Sequence, residues 1–218
     1  MKNNQESVQS HTQHANLYDD QAREYGWYGP EILFGMCFEY VSPNSNLLDI
    51  GIGTGLSSAL FAKAGLNIYG IDGSVEMLRI CEKKHITKEL KQYNLNDLPL
   101  PYPNSLFQYI VSCGVFHFIG DLEPIFRDIS RVIKPGGFFS FTVKADYYGK
   151  LDSSKTNDIY YSEQSPEGVK IFTHRKQYIK NLLKLCHFEE LKEQLFFVQI
   201  DSKNNYSPFF AHVVKHKK

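Results

Sequence analysis

Leu47-Leu48-Asp49-Ile50-Gly51-Ile52-Gly53-Thr54-Gly55-Leu56-Ser57-Ser58 is the stretch that decides how this chain is read. It opens on a short apolar run and breaks into glycines at every second position. It then continues into the helix-compatible residues 57–64. That order predicts a buried strand, a tight turn and a helix whose N-terminus faces the turn. Glycine lets the backbone take positive φ and lets a ligand approach the main chain. The first N–H groups of the helix are left over as donors. A nucleotide-like ligand is the expected occupant.

The spacing narrows the choice. The dinucleotide fingerprint Gly-x-Gly-x-x-Gly needs a glycine where this chain has Leu56, which disfavours a nicotinamide-dependent oxidoreductase. Asp49 precedes the first glycine, and Asp72 ends the next apolar run, residues 67–71. A carboxylate at Asp72 can accept both hydroxyls of a ribose. One at Asp49 suits a cationic ligand better than a pyrophosphate. A ligand combining adenosine, an amino acid and a positive sulfur satisfies both.

These residues resemble the class I S-adenosylmethionine-dependent methyltransferases, in the group that modifies small molecules. The matching pieces are Leu-Leu-Asp-Ile-Gly-Ile-Gly-Thr-Gly, Gly-Ile-Asp-Gly-Ser-Val-Glu-Met-Leu, Asn-Asp-Leu-Pro-Leu-Pro and Arg-Val-Ile-Lys-Pro-Gly-Gly, within residues 47–143. The resemblance implies an α/β, Rossmann-like, doubly wound sheet. Seven mainly parallel strands, the last antiparallel, would carry helices on both faces and a small cap over the C-terminal edge. It implies S-adenosyl-L-methionine as cofactor, S-adenosyl-L-homocysteine as product, and a small-molecule methyl acceptor. Methylation of RNA or protein, or cofactor binding without catalysis, are the alternatives.

The chain has 218 residues, enough for one α/β domain with a small addition. Formal net charge is zero, so no overall field attracts nucleic acid. Cys37, Cys81, Cys113 and Cys186 lack zinc-ligand spacing and a disulfide pattern, and no metal cluster is visible. Buried thiols in a reducing compartment, and no apolar run of ~20 residues to cross a bilayer, make a cytoplasmic protein without a membrane partner the expectation. Monomer and homodimer remain open.

Residues 1–14 are polar and read as a disordered tail rather than a signal peptide. The remaining 15–218 read as a single domain. Its parts are an N-terminal lid and helix (15–45), a cofactor-binding core (46–143), a substrate cap (145–171), and a last helix with a C-terminal strand pair (172–218). In the lid, Tyr18, Tyr25, Trp27 and Tyr28 sit among charges. They either pack the first helix on the core or cover the ligands, since aromatic faces attract a sulfonium. Relatives place a Tyr-Asp-x-x-Ala stretch here, matched by Tyr18, Asp19 and Ala22. Tyr18 and Tyr25 are therefore read towards the cofactor, and Trp27 and Tyr28 towards the acceptor.

On the core, cofactor contacts are expected at Asp49, Ile50, Gly51, Gly53 and Gly55, then at Asp72, Gly73, Ser74 and Met77. Ser74 is the expected N-cap of the following helix. Residues 92–96 read as a short strand ending near the adenine, with Asn94, Leu95 and Asn96 there. Relatives use an acid where this chain has Asn94, and Asn96 or Asp97 are alternatives. Residues 106–113 read as the next buried strand. Ligands of open parallel sheets bind beyond the C-terminal strand ends. Cys113, Gly114 and Val115 are thus assigned to the cofactor, and Phe116 and His117 to the acceptor. His117 is the leading candidate for a general base, with a ring bonded to backbone or lining the cofactor pocket as the alternative. Asp146, Tyr147, Tyr148 and His174 follow, with Tyr147 and Tyr148 read as acceptor contacts. Residues 121–133 and 173–186 carry apolar positions at helical spacing.

Overall fold

The computed structural model describes residues 8, 9, 12, 15–147, 159–165, 168–199 and 205–217. Among the described residues from 15 onward, six α-helices and nine strands follow in chain order. Helices α1 (Tyr18–Glu24) and α2 (Gly29–Cys37) precede β1 (Asn46–Ile50). Next come α3 (Leu56–Lys63), β2 (Asn67–Asp72), α4 (Val75–Glu82), β3 (Glu89–Gln92) and β4 (Phe107–Ser112). Then α5 (Glu123–Val132), β5 (Ile133–Lys144), β6 (Tyr160–Gln164) and β7 (Lys170–His174) precede α6 (Lys176–Leu185), β8 (Phe188–Gln199) and β9 (Tyr206–His216).

Seven strands form one sheet in the order β3-β2-β1-β4-β5-β9-β8. Strands β3 to β5 pair in parallel, and β9 runs antiparallel between β5 and β8. The chain reverses direction across the sheet at β1/β4. In such sheets ligands bind at that switch point, beyond the strand ends. The expected α/β architecture is the observed one.

Both sheet faces are covered because both are apolar. In strand β4, Phe107 and Ile110 pack into the core on one face and Tyr109 and Val111 into the core on the other, and all four are buried. One face takes Leu33 of α2, Phe61 of α3 and Cys81 of α4. The other takes Ile125, Phe126 and Ile129 of α5 with Ile179, Leu182 and Leu183 of α6. Each large apolar side chain buried in this way stabilises by about 1.5–3 kcal/mol.

Three expected boundaries move. The third strand is Glu89–Gln92, so residues 94–96 lie beyond it in the turn over the strand end. The last helix begins at Lys176 because Lys170–His174 is strand β7. Strands β6 and β7 form an antiparallel hairpin inside the stretch expected to be an unpatterned cap. It is short, and its apolar signal is confined to Ile171 and Phe172. Phe172 and Tyr160 close on Gly120, where an added Cβ would lie 2.9 Å from each ring. His174, a secondary base candidate, is 2% exposed, and its Nε2 bonds the carbonyls of Ile119 (3.0 Å) and Gly120 (2.9 Å). Burial lowers its pKa to about 4. It fastens the hairpin to the loop after β4 and is no proton acceptor for a ligand.

Among the described residues no helix is long and apolar enough to cross a membrane. Of the expected tail, residues 8, 9 and 12 are described, in helical conformation. Thr12 Oγ1 donates to Ser74 Oγ at 2.8 Å.

Candidate active site

The site is built from the turn after β1. Gly51 and Ile52 both donate to the Ile71 carbonyl, at 2.8 and 3.0 Å, which ties the turn to the end of β2. Gly51 has φ +74°, and a Cβ there would come within 2.4 Å of Val115. Gly53 has φ +53°, yet no atom lies within 4 Å of where its Cβ would be. The first glycine is needed for packing. The second leaves open backbone for a ligand to approach.

Two carboxylates frame this turn. Asp72 Oδ2 accepts from Gly53 N at 2.9 Å, and Oδ1 from Ser74 N at 2.8 Å. Asp49 is fully buried, and its Oδ2 accepts from Ser57 (2.6 Å) and Ser58 (2.7 Å). Its Oδ1 is buried with no hydrogen-bond partner. Burial raises its pKa from 3.8 to about 6, against the pull of the two serines. Helix α1 is fastened over the turn by Asp19, which accepts from Thr54 Oγ1 (2.5 Å) and pairs with Lys84 (2.6 Å).

In front of the turn lies a cleft of about 620 Å³, open to solvent. Tyr18, Gly51, Gly53, Asp72, Gly73 and Met77 line it, with Leu95, Cys113, Gly114 and Val115 from the neighbouring strand ends. These are ten of the seventeen positions assigned to the cofactor. Val8, Tyr93 and Phe118 complete the lining and were not foreseen. Burial holds the Cys113 thiol well above its usual pKa, so it is not a thiolate nucleophile.

A second, larger cleft of about 1240 Å³ adjoins the first, and Tyr18, Gly114 and Phe118 line both. Tyr25, Trp27 and His117 line it from the core side. Glu163, Gln164, Ser165 and Ile171 of the hairpin region face them. Lys144, Val198, Gln199, Ser207 and Phe209 come from the ends of β5, β8 and β9. Lys144 and Glu163 form an ion pair at 2.5 Å. The His117 ring lies 4.0 Å from Phe118 and edge-on to Phe209 at 5.4 Å.

Several assignments need correction. Phe116 is fully buried among Phe126, Phe139 and Phe141, because successive side chains of the 3-10 turn at residues 116–118 point different ways and that of Phe116 points inward. Ile50 is likewise closed in the core. Tyr25 lines the second cleft rather than the first. Tyr28 is 61% exposed and lines neither, as does Tyr147, whose ring packs on Phe197 at 5.3 Å. Tyr148 lies outside the described residues. Gly55 sits behind the turn against Cys81, and Ser74 is a buried N-cap that accepts from Met77 N at 3.3 Å. Asn94 and Asp97 line an outer recess that shares Val8, Gly73 and Tyr93 with the first cleft. Asn96 lines neither; its amide donates to Asn94 Oδ1.

Residues 48–141 match a family model described as a methyltransferase domain. Residues 48–141 thus carry a methyltransferase domain, similar to those of the class I S-adenosylmethionine-dependent methyltransferases. The chain is 30% identical over 166 residues to phosphoethanolamine N-methyltransferase 2 of Caenorhabditis elegans, covering 74% of this chain and 34% of that one. It is 31% identical over 97 residues to a demethylmenaquinone methyltransferase of Tropheryma whipplei, covering 44% and 41%. It thus spans 34–41% of the length of these curated relatives. A solved S-adenosylmethionine-dependent methyltransferase from Methanosarcina mazei shares the fold, with a TM-score of 0.67 and 21% identity, covering 84% of this chain and 97% of that one.

Proposed function

We propose that this methyltransferase transfers a methyl group from S-adenosylmethionine to an O, N, S or C nucleophile of a small molecule. The observation that carries the reading is the junction of the two clefts. One is lined by the glycine turn and Asp72, with Asp49 buried behind the turn, and the other has aromatic rings in its wall. The residues present fit the cofactor. Asp49 Oδ1 is a buried acceptor with no partner, suited to an ammonium held nearby. The open face of Gly53 admits close backbone approach, and Asp72 would receive the ribose hydroxyls. The cofactor supplies an electrophilic methyl on a positive sulfur. The chain's part is to orient the acceptor, exclude water and take up a proton where the nucleophile has one.

The acceptor would occupy the second cleft. Trp27, Tyr25, Phe118 and Phe209 offer aromatic walls, and Lys144, Glu163, Gln164 and Gln199 add polar groups, the mixture that small-molecule sites use. The relatives whose names specify phosphoethanolamine and demethylmenaquinone support a small acceptor. The test is incubation with labelled S-adenosylmethionine and a panel of metabolites. Label transferred to a small molecule supports the reading. Label transferred only to RNA or protein, or cofactor binding without turnover on any acceptor class, sinks it.

The folded pKa of Asp49 is raised to about 6. Between about pH 4 and pH 6 the folded chain therefore holds more protons here than the unfolded chain, and stability falls as pH rises through that window. At pH 7 the buried charge costs the ligand-free fold about 3 kcal/mol. Asp49→Asn is expected to raise the unfolding midpoint of the ligand-free protein at pH 7, with the gain shrinking towards pH 4, and to weaken cofactor binding. Thermal unfolding at several pH values, with calorimetry, checks both. Equal destabilisation at every pH would show that the carboxylate serves the fold instead.

A further inference from the structure

We propose that Glu190, Glu193 and His212 form a binding site for one divalent transition-metal cation of the zinc class. None of the three lines either cleft. The site stands apart from methyl transfer and does not rest on that function.

The placement comes from the β8–β9 pairing. Glu193 is opposite His212, and a register shift between Glu190 and Lys192 brings Glu190 to the same place. One ligand atom from each residue lies within 4.8 Å of the others. Acidic groups at an edge strand are commonplace, so the weight falls on what is buried. His212 is 2% exposed, its ring stacked on Phe141 at 4.9 Å, and neither ring nitrogen has a hydrogen-bond partner. Glu193 Oε1 accepts from Lys176 Nζ at 2.5 Å, while its Oε2 is buried without a partner.

His212 Nδ1 stands 3.3 Å from Glu190 Oε2, near enough to lower that carboxyl's pKa, but out of line for a well-formed hydrogen bond. If that nitrogen is unprotonated, two acceptors face one another and a cation belongs between them. A proton is the competing answer, as a histidine–glutamate ion pair. A proton serves only one pair, however, and leaves Glu193 Oε2 unmatched. A metal ion takes all three atoms. The 3.3 Å spacing is close to the roughly 3.4 Å between neighbouring ligands of a tetrahedral zinc shell. One imidazole and two carboxylates suit zinc, manganese or iron better than calcium. Lys176 keeps its place on Oε1, and the exposed side of Glu190 is the entry path and the open fourth position. Bound there, the cation would pin the bulge of edge strand β8 to β9.

The test uses the full chain, stripped with a chelator and titrated with zinc or manganese alone. One equivalent should bind saturably and raise the unfolding midpoint. The zinc absorption edge should report nitrogen and oxygen ligands without sulfur. Glu190→Gln and Glu193→Gln replace partly exposed side chains, so both variants should fold. Each should weaken metal binding by more than about tenfold, since even outer-shell changes cost that much. No saturable binding by the wild-type chain overturns the proposal. So does a sulfur signature, or binding that is unchanged in the double variant.

Discussion

Asp72→Ala is expected to bind S-adenosylhomocysteine about tenfold to 100-fold more weakly than the wild-type chain, the equivalent of losing hydrogen bonds to a charged acceptor. Both Asp72 oxygens already accept backbone amides, Gly53 N on one and Ser74 N on the other. Each carboxylate oxygen has room for a second donor, so two ribose hydroxyls can be received beside the amides. The substitution would remove those acceptors and also release the amide that holds Gly53 in place. The effect should therefore lie towards the upper end. Asp72→Asn keeps the shape but presents an NH₂ to one of the two amides, so it should fall between wild type and alanine. Calorimetry on variants with unchanged circular dichroism measures this. An Asp72→Ala protein that stays folded and binds as tightly as wild type would show that the ribose is held elsewhere.

The contrast between Asp72 and Phe116 shows what the sequence could carry. The place of Asp72 beside the glycine turn was legible because a buried strand ending next to such a turn leaves few arrangements. The sheet and its two helical faces were legible for a similar reason. Runs such as residues 107–112 are apolar on both faces, and only a sheet covered on both sides buries them. Phe116 was misplaced because adjacency to His117 was read as a shared direction. A 3-10 turn points successive side chains different ways, and the burial of a phenyl ring won. Tyr147 was chosen for being aromatic in an unpatterned stretch, yet nothing local tells a pocket wall from a surface ring. The second cleft's far wall, Val198, Ser207 and Phe209, was invisible for another reason. It depends on β9 entering the sheet between β5 and β8. Glu190, Glu193 and His212 escaped too, because their spacing matches no metal motif and only a bulged register aligns them.

His117 is the residue on which turnover is expected to depend most. It follows β4, on a 3-10 turn at the C-terminal edge of the sheet. It lines the second cleft and not the first, so its ring faces the space proposed for the acceptor rather than that proposed for the cofactor. Gly114 and Phe118, three residues before it and one after, line both clefts. That places the imidazole next to the opening through which a methyl would pass. Among the described residues lining this cleft, His117 is the one histidine, and the Glu163 carboxylate is already engaged by Lys144. If the acceptor loses a proton, His117→Ala and His117→Gln should each lower kcat by ~10²-fold or more, the usual scale for a positioned base. Cofactor affinity should stay within a few-fold. Wild-type kcat should fall on the acid side as the imidazole is protonated, and that limb should vanish in the glutamine variant, which keeps hydrogen bonding but cannot take the proton. Alanine alone would not separate a base from a wall, because it also opens the space between Phe118 and Phe209. Glutamine does. A His117→Gln protein with wild-type kcat and an unchanged acid limb would make the ring a wall of the pocket, and the proton would have to leave by another route.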